Sequence, residues 1–323
     1  MMIASDLKSK WVKITKDDEH ADYRSLRISS ECYSDIYISI DANRCHCLIL
    51  SLPKTYQIDF NSIKKEKISL ELVREKNYIV LTLHESTYHD LFDLLIISLY
   101  NAIKDIQEVG IYSKIFVNTF NKWAQFFDDE LIDSLSKNIV QGIFGELTYL
   151  KSLLLKTNAS KVNNDLLAWK GPYDHGHDFV LNDKDIEVKT RVDGKLTIHI
   201  SSEHQFECTD GRDLELAVVS VDFDLVDGTS IKTLVEEIRQ IVENFLGDTS
   251  ILLKAIRQKG LSFTNLQKYD HWRFKVLNIY TYDCLSSTFP KIVSSEISPS
   301  ISEVKYNINL RDLDRYITDE EQF

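Results

Sequence analysis

Asp178-Phe179-Val180-Leu181-Asn182-Asp183-Lys184-Asp185-Ile186-Glu187-Val188-Lys189 is the stretch that decides the fold. The apolar run 179–181, the turn formers Asn182 and Asp183, and the returning run 186–189 spell a β-hairpin. Side chains alternate along a strand, so Glu187 and Lys189 share one face while Ile186 and Val188 turn into a core. The turn brings Asp178 back beside them. Two convergent carboxylates make a hard oxygen site suited to Mg²⁺ or Mn²⁺, and an adjacent lysine can orient or deprotonate a water. That combination is the chemistry of phosphodiester hydrolysis.

Upstream, 132–155 predicts a helix with an apolar stripe of Ile132, Leu135, Ile139, Ile143, Leu147, Leu150 and Leu154. Glu146 lies on or beside that stripe. There it needs a metal or a lysine as partner, unless it sits at the edge and reaches water. Gly142 and Gly145 each cost about 1 kcal/mol relative to alanine in a helix, a cost tolerated where another backbone comes close. The loop 166–177 holds Gly171-Pro172 and Asp174-His175-Gly176-His177. Its histidines read as cleft-lining residues, with His177 a candidate contact to phosphate or a metal-held water.

Downstream, 196–200 predicts a third strand, and Ser202 with Gln205 forms a capping box that would open a helix. Residues 214–221 predict a central apolar strand. Ser230 opens an amphipathic helix through Ile231, Leu234, Val235, Ile238, Ile241, Val242 and Phe245. Further strands at 274–282 and 304–310 precede an acidic end, Asp319-Glu320-Glu321. This succession describes an α/β (α+β) sandwich around a mixed sheet flanked by helices.

The N-terminal part reads differently. Residues 20–85 are β-rich, with alternation at Ile36, Ile38 and Ile40 and apolar runs at 45–52, 68–73 and 78–83. Cys45-His46-Cys47 resembles a metal motif but lacks a second ligand pair, so it reads as buried strand residues. The run Lys64 to Lys76 is interleaved with Glu66, Glu71 and Glu75 and reads as exposed surface. Residues 88–103 and 115–127 predict helices. The expected organisation is an accessory β-rich domain at 1–86, connecting helices at 87–130 and a hydrolytic domain with a C-terminal extension at 131–323.

With 323 residues, 43% hydrophobic content and four prolines, the chain can build a large core and two domains. No apolar run approaches the ~20 residues of a membrane span, and the start lacks an apolar signal core, so a cytoplasmic protein without a membrane partner is expected. Five scattered cysteines fit reduced thiols. A net charge of −12 argues against a free-standing nucleic-acid binder, because Lys and Arg supply most non-specific affinity for phosphate. DNA would need a local patch or a partner's help. No Gly-x-x-x-x-Gly-Lys-Ser/Thr loop and no Gly-x-Ser-x-Gly elbow is present, so an intrinsic ATPase or serine hydrolase is unsupported.

The order Glu146 in a helix, Asp178 opening a strand, and Glu187-Val188-Lys189 on the next strand resembles the PD-(D/E)XK, or restriction-endonuclease-like, superfamily. Gly142-x-x-Gly145-Glu146, Trp169-x-Gly171-Pro172, His177-Asp178-Phe179, Glu187-Val188-Lys189-Thr190 and Ser201-Ser202-x-x-Gln205 resemble, more narrowly, a bacterial family of PD-(D/E)XK proteins. The resemblance implies that Asp178, Glu187 and the Val188 carbonyl hold the metal, and that Lys189 positions the attacking water. It implies that Glu146 assists through a water or a second ion, and that His177 and Gln205 are accessory. It further implies a setting among phage-defence or restriction proteins, with ATPase- or helicase-like and methylase partners. Two departures stand out: His177 replaces the motif's proline, and the interval from Asp178 to Glu187 demands a tight hairpin.

Within 251–275, Lys254, Arg257, Lys259, Lys268, Arg273 and Lys275 face only Asp270, a balance of +5 in an acidic chain. With Trp272 nearby as a stacking group, Lys254, Arg257, Lys259 and Arg273 mark the candidate nucleic-acid surface. A solvated helix face and a core tryptophan explain the same residues. The reading is therefore a Mg²⁺-dependent (or Mn²⁺-dependent) endonuclease acting on DNA, the cutting subunit of a defence or restriction assembly, with a homodimer admitted. The alternatives are a catalytically silent DNA-binding or scaffold subunit, and a structural protein whose Glu187 and Lys189 form an ordinary surface ion pair.

Overall fold

The computed structural model describes residues 4–15, 23–128, 134–173, 175–298 and 300–323, so Ile132 and Asp174 lie outside the described residues. The chain divides into two compact units, 1–131 and 132–323. The helices read as connectors thus fall within the first unit. Among the described residues no helix is long and apolar enough to cross a membrane.

The first unit begins with α1 (Ala4–Thr15) and continues through β1 (Tyr23–Arg27), β2 (Asp35–Asp41), β3 (His46–Ser51), β4 (Ile63–Lys64), β5 (Ile68–Val73) and β6 (Tyr78–Leu83). These strands form an antiparallel sheet in the order β1-β2-β3-β6-β5-β4. Helices α2 (His89–Ile103) and α3 (Val109–Trp123) follow, and α2 buries apolar residues almost all round. The second helix starts at Val109 rather than near 115, because Gly110 and Ser113 interrupt the apolar period. Cys47 is buried, and the His46 ring is sandwiched between Trp11 and His89 at 4.1 Å on each side. The Cys-His-Cys run is thus part of the packing.

The second unit runs α4 (Lys137–Leu155), α5 (Val162–Ala168), β7 (Phe179–Val180), β8 (Lys184–Val192), β9 (Thr197–Ile200), β10 (Asp213–Phe223), β11 (Thr229–Ser230), α6 (Ile231–Asn244), α7 (Thr249–Gln258), β12 (Arg273–Asp283), β13 (Tyr306–Asn309) and β14 (Ile317–Gln322). Its mixed sheet has the order β11-β12-β10-β8-β7, with β14 also on β12. Only the β8–β10 pair is parallel among these ladders. Leu214, Leu216 and Val218 of β10 share one core with Ile198, Phe206, Tyr282 and Ile308, while α4 packs on β8, β10 and α6. This is the α+β class, with helices flanking a mixed sheet, that the sequence predicts.

Several local expectations change. Helix α4 starts after Ser136, whose side chain accepts from the Ile139 amide, and its buried face is Val140, Ile143, Phe144, Leu147, Leu150 and Leu154. Ile143, Leu147, Leu150 and Leu154 of the predicted stripe are buried, while Ile139 in the first turn is 51% exposed and Val140 takes its place. Strand β9 does not join the main sheet but pairs with β13. No helix follows Ser202. Gln205 Oε1 accepts from the Ser201 amide and Ser202 Oγ from the His204 amide, closing a turn that no apolar period extends. The acidic end is an edge strand, β14, where Glu321 accepts from Ser152 Oγ and Lys156 Nζ.

Candidate active site

The main chain fixes Asp178 before its side chain acts. Its carbonyl accepts from the amides of Lys170 at 2.7 Å and Gly171 at 2.9 Å, beside a β-bridge between Trp169 and Phe179. Its Oδ2 accepts from the Val188 amide at 2.9 Å, tying the carboxylate to β8. On β8 the alternation holds: Lys189 Nζ donates to Glu187 Oε1 at 2.6 Å, while Thr190 meets α4 on the opposite face. The tight turn between β7 and β8 is held by Arg212, which donates to the carbonyls of Leu181, Asn182 and Lys184 and to buried Asp185 at 2.8 and 3.0 Å. This clamp makes the short Asp178-to-Glu187 interval workable.

Glu146 comes from α4. A Cβ on Gly145 would stand 1.7 Å from Thr190 Oγ1, so glycine lets the helix lie directly on β8 and carries Glu146 toward the carboxylates. Gly142 has nothing within 4 Å of such an atom, so no close approach explains that glycine. Glu146 is 9% exposed and both its oxygens are engaged: Oε1 accepts from Lys259 Nζ and Oε2 from Trp169 Nε1, each at 2.8 Å. A Cβ on Gly171 would lie 2.6 Å from Asp178 Oδ1, 2.7 Å from Glu146 Oε2 and 3.3 Å from Lys259 Nζ. The two carboxylates and the ammonium therefore converge around one point.

Burial and mutual repulsion set the charge state of the cluster. Burial, reinforced by Asp178, pushes Glu146 up to about 7 against the pull of Lys259. Burial pushes Glu187 up to about 8, with Lys189 opposing and Asp178 and Glu146 adding to the rise. Added positive charge at this place would oppose the rise in both groups.

Lys259 is not an isolated surface cation: its ammonium lies on Glu146 and its side chain is 19% exposed. Its placement follows from the end of α7. The Gly260 amide bonds the Arg257 carbonyl, the Leu261 amide bonds the Ile256 carbonyl, and Gly260 adopts φ +80°. This is a Schellman cap, and it was legible in Lys259-Gly260-Leu261 after the apolar period. Lys254 is exposed on the same helix, Arg257 is half-buried, and Arg273 begins β12. Trp272 is half-buried against Tyr269 and His271. His177 is buried rather than lining a cleft. Its Nδ1 lies 3.8 Å from Asp185 Oδ2, its Nε2 has no partner among the described residues, and burial lowers its pKa. Gln205 closes its own turn, as described above. Composition and period gave Trp169 and Arg212 no role, because a hydrogen bond to a residue far along the chain leaves no local signal.

The donor set fits a small hard cation. Asp178 Oδ1 and the second Glu187 oxygen carry no hydrogen bond or ion pair among the described residues, and burial makes a cation welcome. Among the described residues no three His, Cys, Asp or Glu side chains stand together as a metal cluster. An ion here would rest on two carboxylates, the Val188 carbonyl and water, in keeping with the waters Mg²⁺ retains.

No curated protein and no solved structure matches the chain. The sequence profile of the family described as "Putative PD-(D/E)XK family member" (DUF4420) matches residues 7–311, a span that contains all four motif positions, Glu146, Asp178, Glu187 and Lys189. The chain belongs to that PD-(D/E)XK family.

Proposed function

We propose that this protein is a Mg²⁺-dependent endonuclease that hydrolyses DNA phosphodiester bonds. The observation that carries the reading is that Asp178 is tied to the Val188 amide and Glu187 to the Lys189 ammonium on adjoining residues of β8, where the burial of Glu187 favours added positive charge. Asp178, Glu187 and the Val188 carbonyl would hold the ion, which when bound supplies Lewis-acid stabilisation of charge on the phosphate. Lys189 orients the attacking water. In the net reaction the water oxygen bonds to phosphorus, the bond from phosphorus to the leaving oxygen breaks, and the leaving oxygen takes up a proton. Lys254 and Arg257 lie on the last turns of α7, the helix whose end reaches the carboxylates through Lys259, and would track the DNA backbone toward the site. A role as the cutting subunit of a bacterial defence or restriction assembly, with ATPase- or helicase-like and methylase partners, follows from the resemblance of the motif set.

Calorimetric titration with Mn²⁺ tests the assignment. Binding lost in Asp178→Ala and kept in Lys189→Ala supports the separate roles. A folded wild-type chain that takes up no divalent ion would turn the reading toward a silent scaffold subunit.

A further inference from the structure

Glu146, Asp178 and Lys259 converge beside Gly171, and Asp178 is bonded to the Val188 amide between Glu187 and Lys189 on β8. Lys189 is paired with Glu187, so the charge balance at Glu146 falls to Lys259. Three observations make that pairing a built feature. The two side chains are largely buried, at 19% and 12% exposure. The second Glu146 oxygen is occupied by Trp169 Nε1. The Schellman cap at Gly260 fixes where Lys259 leaves α7, and the Asn265 side-chain amide donates to the Gly260 carbonyl at 3.1 Å to hold that loop.

Resting on the endonuclease reading, we infer that Lys259 is the second cation of the site: it is held by Glu146 where a second metal ion would otherwise bind, and it faces the reacting phosphodiester. Glu146 is then a positioning residue for an ammonium, not a metal ligand, and the chain takes one divalent ion. A fixed ammonium beside developing phosphate charge acts as a preorganised electrostatic donor. Lysine suits the place as a compact point charge on a flexible stem.

The test counts ions and follows cleavage in parallel. Mn²⁺ stoichiometry by calorimetry and electron paramagnetic resonance is measured on wild type, Lys259→Met and Lys259→Arg. The expected counts are one ion in wild type, two in Lys259→Met once Glu146 is released, and one in Lys259→Arg. Plasmid cleavage at low Mn²⁺ should fall about 100-fold in Lys259→Met, the scale of losing one such donor, and return in part as Mn²⁺ is raised. Lys259→Arg should keep most of the activity. Because Lys259→Met leaves a buried carboxylate unpaired, the double variant Lys259→Met/Glu146→Gln provides a folded control, expected to bind one ion and cut about 100-fold more slowly.

Two ions in wild type, one ion with unchanged cutting in Lys259→Met, or wild-type cutting by the double variant would each overturn the inference. A wild-type chain that binds no ion overturns the endonuclease reading and this inference together. One that binds a single ion but never cuts removes the endonuclease reading, and the ion count in Lys259→Met still decides whether Lys259 fills the second place.

Discussion

At the scale of single residues, the site consists of charges that are costly without a cation. The folded, metal-free chain holds Glu146 near 7 and Glu187 near 8 against an ordinary value of 4.5, so it retains protons that the unfolded chain releases. The stability this contributes is complete below pH 4.5 and is lost as pH rises through 7 to 8. Asp93, raised to about 6 by burial, acts in the same direction. Melting temperatures in chelator should therefore fall between pH 5 and about pH 8, and Glu187→Gln should flatten the slope. Added Mg²⁺ should raise the melting temperature more at about pH 8 than at pH 6, because ion binding needs the ionised carboxylates. Gly171 is the second lever. Its alanine variant would force Asp178 or Glu146 to move, and we expect divalent-ion affinity to weaken about 10- to 100-fold with the fold retained, read by calorimetry.

At the scale of elements, two contacts place the chemistry. Gly145 lets α4 touch β8, so Gly145→Ala should cost about 1–3 kcal/mol in urea unfolding, with Thr190→Ala restoring part of the loss. The cap of α7 directs Lys259. Gly260→Ala should cost about 1 kcal/mol, because φ +80° is unfavourable for a residue with a Cβ, and it should also slow cleavage by shifting the ammonium. Elements set by local pattern were legible in the sequence: the hairpin with Glu187 and Lys189 on one face, the central strand β10, and the start of α6 at Ser230. Elements set by distant partners were not. Ile139 leaves the buried face of α4, β9 finds β13 across the sequence, and the acidic end Asp319-Glu320-Glu321 pairs with β12.

At the scale of the whole molecule, the cations nearest the carboxylates come from two elements. Net charge is −12, yet Lys189, Lys254, Arg257 and Lys259 all lie on β8 or at the end of α7. Within that group, Lys259 shows what sequence alone hides. Its charge was visible, but its partner Glu146 stands 113 positions away, and only the fold sets it on a buried carboxylate. Binding of DNA by so acidic a chain should be weak and only shallowly dependent on salt, since few cations carry the contact. The most direct measurement of the central claim is plasmid cleavage by the full chain in Mg²⁺ or Mn²⁺, beside Lys189→Ala purified in the same way. We predict nicked or linear product from wild type and none from Lys189→Ala, with both proteins folded and ion-loaded. Intact plasmid in both lanes, with calorimetry showing the ion in place, would contradict the account.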